Sequence, residues 1–249
     1  MIAPDRIAFS IFGIDVMWYG TLIGIGFILA IMISYYRASK FNIDPDFILT
    51  LTIWIIPCAL IGARAYYVLF NWDRYAGNIS EILNIRAGGL AVHGGLILCF
   101  TVGYILCKHY KEHFFDVADL VAPVIALAQS IGRWGNFFNE EAHGYATDLP
   151  WAQIINGIGY HPTFLYESIW CFLLFIFLMW FSNNKRAFSG QIICLYGILY
   201  SVERFFVESF RTDSLMVGPL RQAQVISIVI IVVCMALYVL LKKKHNNKI

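Results

Sequence analysis

Charge is scarce in this sequence: 14% of its 249 residues are charged while 59% are hydrophobic. That balance excludes an ordinary soluble domain, because water could not be the chain's main solvent. Other patterns are missing too. No glycine-rich phosphate loop follows a strand, and no strand alternation is evident. No internal repeat appears, which argues against a transporter built from repeated halves. Cys58, Cys99, Cys107, Cys171, Cys194 and Cys234 sit singly inside apolar runs, without metal-like pairs or disulfide-like spacing, and read as packing residues. With no cluster at metal-ligand spacing, neither a metal nor an organic cofactor is expected. The first apolar run has no basic segment ahead of it and no small-residue cleavage site behind it, so it reads as a retained helix.

What is present is a series of apolar runs, each able to cross a hydrocarbon core that takes about 20 helical residues. They cover roughly 16–36, 47–70, 89–107, 116–132, 163–181, 191–207 and 222–241. The expected fold is an all-α integral membrane protein of about seven transmembrane helices, with residues 1–249 as a single catalytic domain and a small head built from loops. Lys40, Lys108, Lys111, Lys185 and the tail Lys242, Lys243, Lys244 and Lys248 fall in alternate connections or at the C-terminus. The positive-inside rule then puts those segments in the cytoplasm and the N-terminus outside. The net charge of +2 comes largely from this tail, which reads as a membrane-surface anchor and not as a nucleic-acid arm. Gly20, Gly24 and Ala30, and likewise Gly62 and Gly103, suit close helix packing in lipid.

A charge at the bilayer centre costs about 2.5–3.5 kcal/mol on insertion scales, so polar residues in or beside the runs call for a reason. Arg6, Arg64, Arg74, Arg86, Arg133, Arg204, Arg211 and Arg221 fall on the outer side or within a run, and no lysine joins them. An arginine-only set suits forked recognition of phosphate or carboxylate; Arg6, Arg74 and Arg86 read instead as partners of nearby acids. From Gly132 to Gly144 the chain gathers Arg133, Asn136, Asn139, Glu140, Glu141 and His143 among glycines and aromatics, denser polarity than loop capping requires. Tyr200, Arg204, Glu208 and Arg211 share an arc of about 80° on one helix. Trp18-Tyr19-Gly20 and His93-Gly94-Gly95-Leu96 lie at the outer starts of two runs. A histidine beside paired glycines at a membrane boundary is a candidate base.

These residues carry a resemblance to the prolipoprotein diacylglyceryl transferase family, extending from Trp18 to Arg211. A motif resembling Gly-Arg-x-Gly-Asn-Phe-x-Asn-x-Glu is complete from Gly132 to Glu141, with Gly144 at the family's spacing. The His-Gly-Gly-Leu segment, the His-Pro-Thr and Leu-Tyr-Glu elements from His161 to Glu167, and the Tyr200-to-Arg211 face follow in order. Tyr160 stands where the family usually has Arg, and Phe164 where it often has Gln.

The resemblance implies transfer of a diacylglyceryl group from phosphatidylglycerol to the lipobox cysteine of a preprolipoprotein, on the periplasmic side of a bacterial cytoplasmic membrane. The residue types suit that chemistry. A thiol of pKa about 8.5 is little ionised at neutral pH and gains from a base, for which His93 is the candidate and Glu141 the alternative. Arg133 and Arg204 would stabilise the charge growing on the departing phosphate. Glu141 and Glu208 would orient these arginines or the glycerol hydroxyls, and Tyr19, Asn136 and Arg211 would hold the head group. Asn139, His161 and Tyr200 join the substrate-binding set, and Gly144 gives backbone room. Two other classes compete: a membrane transporter or binder of a small anionic or lipid substrate, and a non-enzymatic assembly protein. A transporter should show repeats and polar groups near mid-bilayer, whereas these polar groups cluster toward one face.

Overall fold

The computed structural model describes residues 1–85, 88–212 and 214–247, so Arg86 and Lys248 lie outside the described residues. In chain order the elements are β1 (Ile7–Ile11), β2 (Ile14–Met17), α1 (Trp18–Ala38), α2 (Pro45–Phe70), α3 (Trp72–Tyr75), α4 (Ile79–Leu83), α5 (Val92–His109), α6 (Phe114–Asn139), β3 (Gln153–Ile155), β4 (Ile158–Tyr160), α7 (Thr163–Asn184), α8 (Gln191–Glu208), β5 (Met216–Val217), β6 (Leu220–Arg221) and α9 (Gln222–Asn246). Each apolar run becomes a helix because, in hydrocarbon, only a ladder internal to the segment satisfies its peptide groups.

Among the described residues, six segments are long and apolar enough to cross a bilayer: Trp18–Phe41, Pro45–Phe70, Val92–His109, Phe114–Asn139, Thr163–Asn184 and Gln222–Asn246. The chain is thus a mostly helical, multi-pass membrane protein. α8 matches the remaining expected run but carries Glu203, Arg204 and Glu208 within its 18 residues, and it is not among the six.

Two readings of the sequence need correcting. The connections hold three antiparallel hairpins, β1–β2, β3–β4 and β5–β6, so strands are present after all. Their two to five residues are too few for an alternation to stand out. The clearest sign was Asn156-Gly157, both at positive φ (52° and 81°) in the β3–β4 turn, as a two-residue hairpin loop requires. The glycine reading also changes. A Cβ on Gly20 or Gly24 would meet nothing within 4 Å, whereas one on Gly26 would lie 3.2 Å from the Ala128 backbone of α6. Close approach in α1 is therefore made at Gly26.

The chain divides into two compact units, Met1–Ser34 with Ala118–Ile249, and Tyr35–Val117. In the second, the Asp44 side chain accepts from the Asp46 amide and Pro45 opens α2, a well-capped start. α2 packs on α5. A Cβ on Gly62 would lie 2.5 Å from the Gly94 carbonyl, and one on Gly95 2.9 Å from that of Ala59. The Gly94-Gly95 pair therefore lets two helix backbones meet. Arg64 is buried and donates to the carbonyls of Ile82 (2.9 Å), Glu81 (2.6 Å), Gly88 (2.8 Å) and Gly89 (3.0 Å). This guanidinium pins the connection after α2 and is not offered to a phosphate, contrary to the reading of the outer arginines as a set.

In the first unit, α8 packs against α7 and α9, over a core of Ala122, Ala126, Leu174, Leu178 and Ile192. Asp119 on α6 is fully buried and fixes the start of α8. It accepts from the Gly190 amide (2.8 Å), the Ile193 amide (2.9 Å) and Arg186 Nε (2.9 Å), which satisfies orphan donors at a helix N-terminus. The opposite end of α8 carries the charges.

Candidate active site

Within the first unit, α6, α7, α8 and the turn just past α8 bring three arginines and two glutamates into one network. α6 continues as helix through Asn139, so the Gly132–Gly144 segment is helical for most of its length and projects Arg133 from the last turns. Arg133 Nη2 lies 2.6 Å from Glu167 Oε2, and Arg204 Nη1 donates to Glu167 Oε1 at 2.9 Å. Arg204 Nη2 meets Glu208 Oε2 at 2.7 Å, one helical turn on. Arg211 Nε stands 4.0 Å from the same oxygen, and Ser214 Oγ donates to Glu208 Oε1 at 2.6 Å. Tyr200 lies close enough to Arg133 to interact with it electrostatically. Glu167 is 1% exposed and Glu208 4%, while the two arginine side chains remain about one-fifth open, at 23% and 18%. The anions are thus sunk beneath the cations, and the open edges of the guanidiniums are what an incoming group would meet.

Glu141 is held by two asparagines: Asn136 Nδ2 donates to its Oε1 at 2.9 Å and Asn139 Nδ2 at 3.3 Å. Glu140 and Ala142, at φ 55° and 56°, turn the chain sharply on either side of it. Gly144 then donates to the His161 carbonyl at 2.9 Å and pairs with Arg211. A Cβ there would stand 2.7 Å from His161 Cβ and 2.9 Å from the Phe210 carbonyl. Glycine is required for that crossing of backbones. His161 Nδ1 is 3.1 Å from the Tyr166 hydroxyl, and its ring packs on Phe210 at a centroid distance of 5.1 Å, tilted by 46°. Arg221 ties the start of α9 to the Glu208 carbonyl (2.5 Å) and the Tyr145 hydroxyl (2.6 Å). Tyr19 packs on Gly135, where a Cβ would come within 2.5 Å of its ring.

Comparison with known proteins places the chain in a family. A family model described as prolipoprotein diacylglyceryl transferase matches residues 6–240. A protein of Clostridioides difficile named phosphatidylglycerol--prolipoprotein diacylglyceryl transferase is 52% identical over 98% of this chain and 98% of its own length. One of the same name from Finegoldia magna is 50% identical over 96% and 97%, and one from Clostridium novyi 47% over 98% and 98%. The chain belongs to the prolipoprotein diacylglyceryl transferase family. As a member of that family it carries, within one unit, eleven of the twelve residues singled out in the sequence: Tyr19, Arg133, Asn136, Asn139, Glu141, Gly144, His161, Tyr200, Arg204, Glu208 and Arg211.

His93 is the exception. It lies in the second unit, at the exposed start of α5, with its ring 6.4 Å from that of Tyr66. Two acids were not singled out as site residues. Glu167 takes both Arg133 and Arg204, and its signal was its place in the Leu-Tyr-Glu element. Glu203 stands beside Arg204, and its signal was an acid inside an otherwise apolar helix.

Proposed function

We propose that this transferase-family chain moves the diacylglyceryl group of phosphatidylglycerol onto the lipobox cysteine of a preprolipoprotein, with residues 1–249 acting as one catalytic domain. The observation that carries the reading is the double pairing of Arg133 and Arg204 on the buried Glu167. Two guanidiniums braced from below cannot drift apart, and their open edges suit a phosphodiester with its forked donors. In the reaction the thiol sulfur attacks the glyceryl carbon that bears the phosphate ester. The carbon–sulfur bond forms as the carbon–oxygen bond breaks, the electron pair leaves on the phosphate oxygen, and glycerol phosphate departs. Charge grows on that oxygen, so the fixed cations bind the transition state more tightly than the ground state and need no reorganisation. The thiol proton passes to a base, His93 or Glu141. Glu208 orients Arg204, while Tyr19, Asn136, Asn139, Tyr200 and Arg211 serve the head group, with Gly144 and His161 fixing the wall beside them.

The same reading takes α8 as a seventh span, its charges drawn to the outer end, with the N-terminus outside and the site on the periplasmic face of the bacterial cytoplasmic membrane. The lysine distribution supports this orientation. Purified protein in liposomes with labelled phosphatidylglycerol and a lipobox peptide tests the activity: label should appear on the peptide cysteine as a thioether. Lipid binding without any thioether product would leave a binder or transporter. Topology is read by single-cysteine labelling in a cysteine-free background, where a cysteine at position 185 that reacts with an impermeant reagent in intact cells would invert it.

A further inference from the structure

Glu203 precedes Arg204 on α8, is 5% exposed, and neither of its carboxylate oxygens receives a hydrogen bond from any described residue. Burial without a donor is costly for a carboxyl group. Its surroundings sharpen the point. It interacts electrostatically with Glu167, Arg133 and Arg204, yet the guanidinium edges on the protein side are taken by Glu167 and Glu208 at 2.6–2.9 Å. Glu203 is therefore not needed to hold either arginine. It contributes two acceptor oxygens beside a pair of cations suited to phosphate.

We propose that Glu203 is a specificity-determining residue that accepts hydrogen bonds from the two hydroxyls of the donor lipid's glycerol head group. The assignment rests on the reading of Arg133 and Arg204 as the phosphate-binding pair. In phosphatidylglycerol the vicinal hydroxyls sit on the second and third carbons of the head group, one and two carbons beyond the one that bears the phosphate ester, so a residue that reads them must stand next to the phosphate's cations. Glu203 is adjacent to one of them in the chain. A carboxylate offers two oxygens to two neighbouring hydroxyls. A head group without hydroxyls would leave those oxygens unsatisfied in the complex, and a buried acceptor discriminates strongly in that way.

The full chain in vesicles is given either phosphatidylglycerol or phosphatidylpropanol, whose head group has the same three carbons without the free hydroxyls. Transfer to a lipobox peptide gives kcat/KM for each lipid. The native chain should favour phosphatidylglycerol by about 10- to 100-fold. Glu203→Leu should bring the ratio to within about threefold of unity, mainly by losing rate on phosphatidylglycerol. Glu203→Gln, which keeps an acceptor, should fall between. Leucine replaces an unpartnered buried carboxyl with an apolar group of similar size, so folding should survive, and the detergent melting temperature checks that it does. An unchanged ratio in Glu203→Leu overturns the assignment even if both rates fall, because a merely structural role slows both lipids alike. Equal use of both lipids by the native chain also sinks it, while leaving the transferase reading intact. No transfer from either lipid overturns that reading and this assignment together.

Discussion

The two ends of α8 each meet a buried carboxylate, and they use it differently. At the first turn, Asp119 takes two backbone amides and the Arg186 guanidinium at 2.8–2.9 Å. At the last turns, Glu167 takes only side-chain cations, Arg133 and Arg204, at 2.6 and 2.9 Å. A backbone amide cannot leave its partner without unwinding the helix. A guanidinium has five donors and can keep one partner while engaging another. The first arrangement therefore fixes the fold, and the second holds charges ready for an anion. Arg64 extends the lesson. It is more buried than Arg133 or Arg204 and serves four backbone carbonyls, so its partners assign it to the fold and theirs to the site.

The sharpest way to break this contrast is at the cations. Arg133→Lys and Arg204→Ala should each lower kcat/KM by about 100- to 1000-fold, the cost of losing one prepositioned donor to a developing charge. Lysine keeps the charge but not the planar fork. The check is a turnover assay on protein of normal expression, and near-native turnover of Arg133→Lys would reduce that residue to charge balance. Glu167→Gln comes next. Only one carboxamide oxygen remains for two arginines that now use one oxygen each, and the other guanidinium faces an NH2 donor, so activity should drop about 10- to 100-fold while KM for the lipid rises. Activity unchanged would show that the arginines hold their places without Glu167.

Arg64→Lys should do the reverse of these. A single ammonium cannot reach four carbonyls arranged around a flat fork, so at least one buried acceptor is left bare, at about 1–3 kcal/mol. The protein should melt earlier and the connection after α2 should be cut faster by protease, with turnover per folded molecule within about threefold of native. A turnover loss matching that of Arg204→Ala would place Arg64 in the chemistry.

Most of the fold was legible because membrane helices are the strongest pattern a sequence can carry. α2, α5, α7 and α9 begin and end within a few residues of their apolar runs. The hairpins were not legible, since strands as short as Met216–Val217 leave no period to detect. Of the site, the face of Tyr200, Arg204 and Glu208 was readable from helical spacing, and the Arg204–Glu208 pair follows from it, whereas Arg211 lies beyond the end of α8 in a bridge with Gly144 and not on the helical arc expected for it. Glu167 was harder. Its partnership with Arg133 and Arg204 joins α6, α7 and α8 across 34 and 37 positions, and no local spacing encodes which helix faces which. The use of the Gly94-Gly95 pair was hidden for the same reason. Which helix comes close at these glycines is decided by α2, about 30 positions earlier.

The smallest effect expected is at the quiet end of α8, and it tests the contrast from the other side. Asp119→Asn keeps the volume and one acceptor oxygen but puts an amide nitrogen where Oδ1 or Oδ2 now accepts. If the nitrogen replaces Oδ2 it faces both Arg186 and the Gly190 amide; if it replaces Oδ1 it faces the Ile193 amide. Either way a donor opposes a donor at a helix N-terminus that is buried on this side. Loss of such a cap costs about 0.5–2 kcal/mol, equivalent to a melting shift of roughly 1–8 °C for a chain of this size. The site lies at the far end of the same helix, 11 residues on at Arg204 from Ile193, and the helix is held there by its own contacts with α7 and α9. Turnover per folded molecule should therefore stay within about twofold of native, as expected for sites too far apart to couple. Detergent melting and turnover on the same sample decide it. A variant that melts normally but loses turnover would show that the start of α8 transmits position to the arginines, and the division between a fixing end and a reacting end would fall.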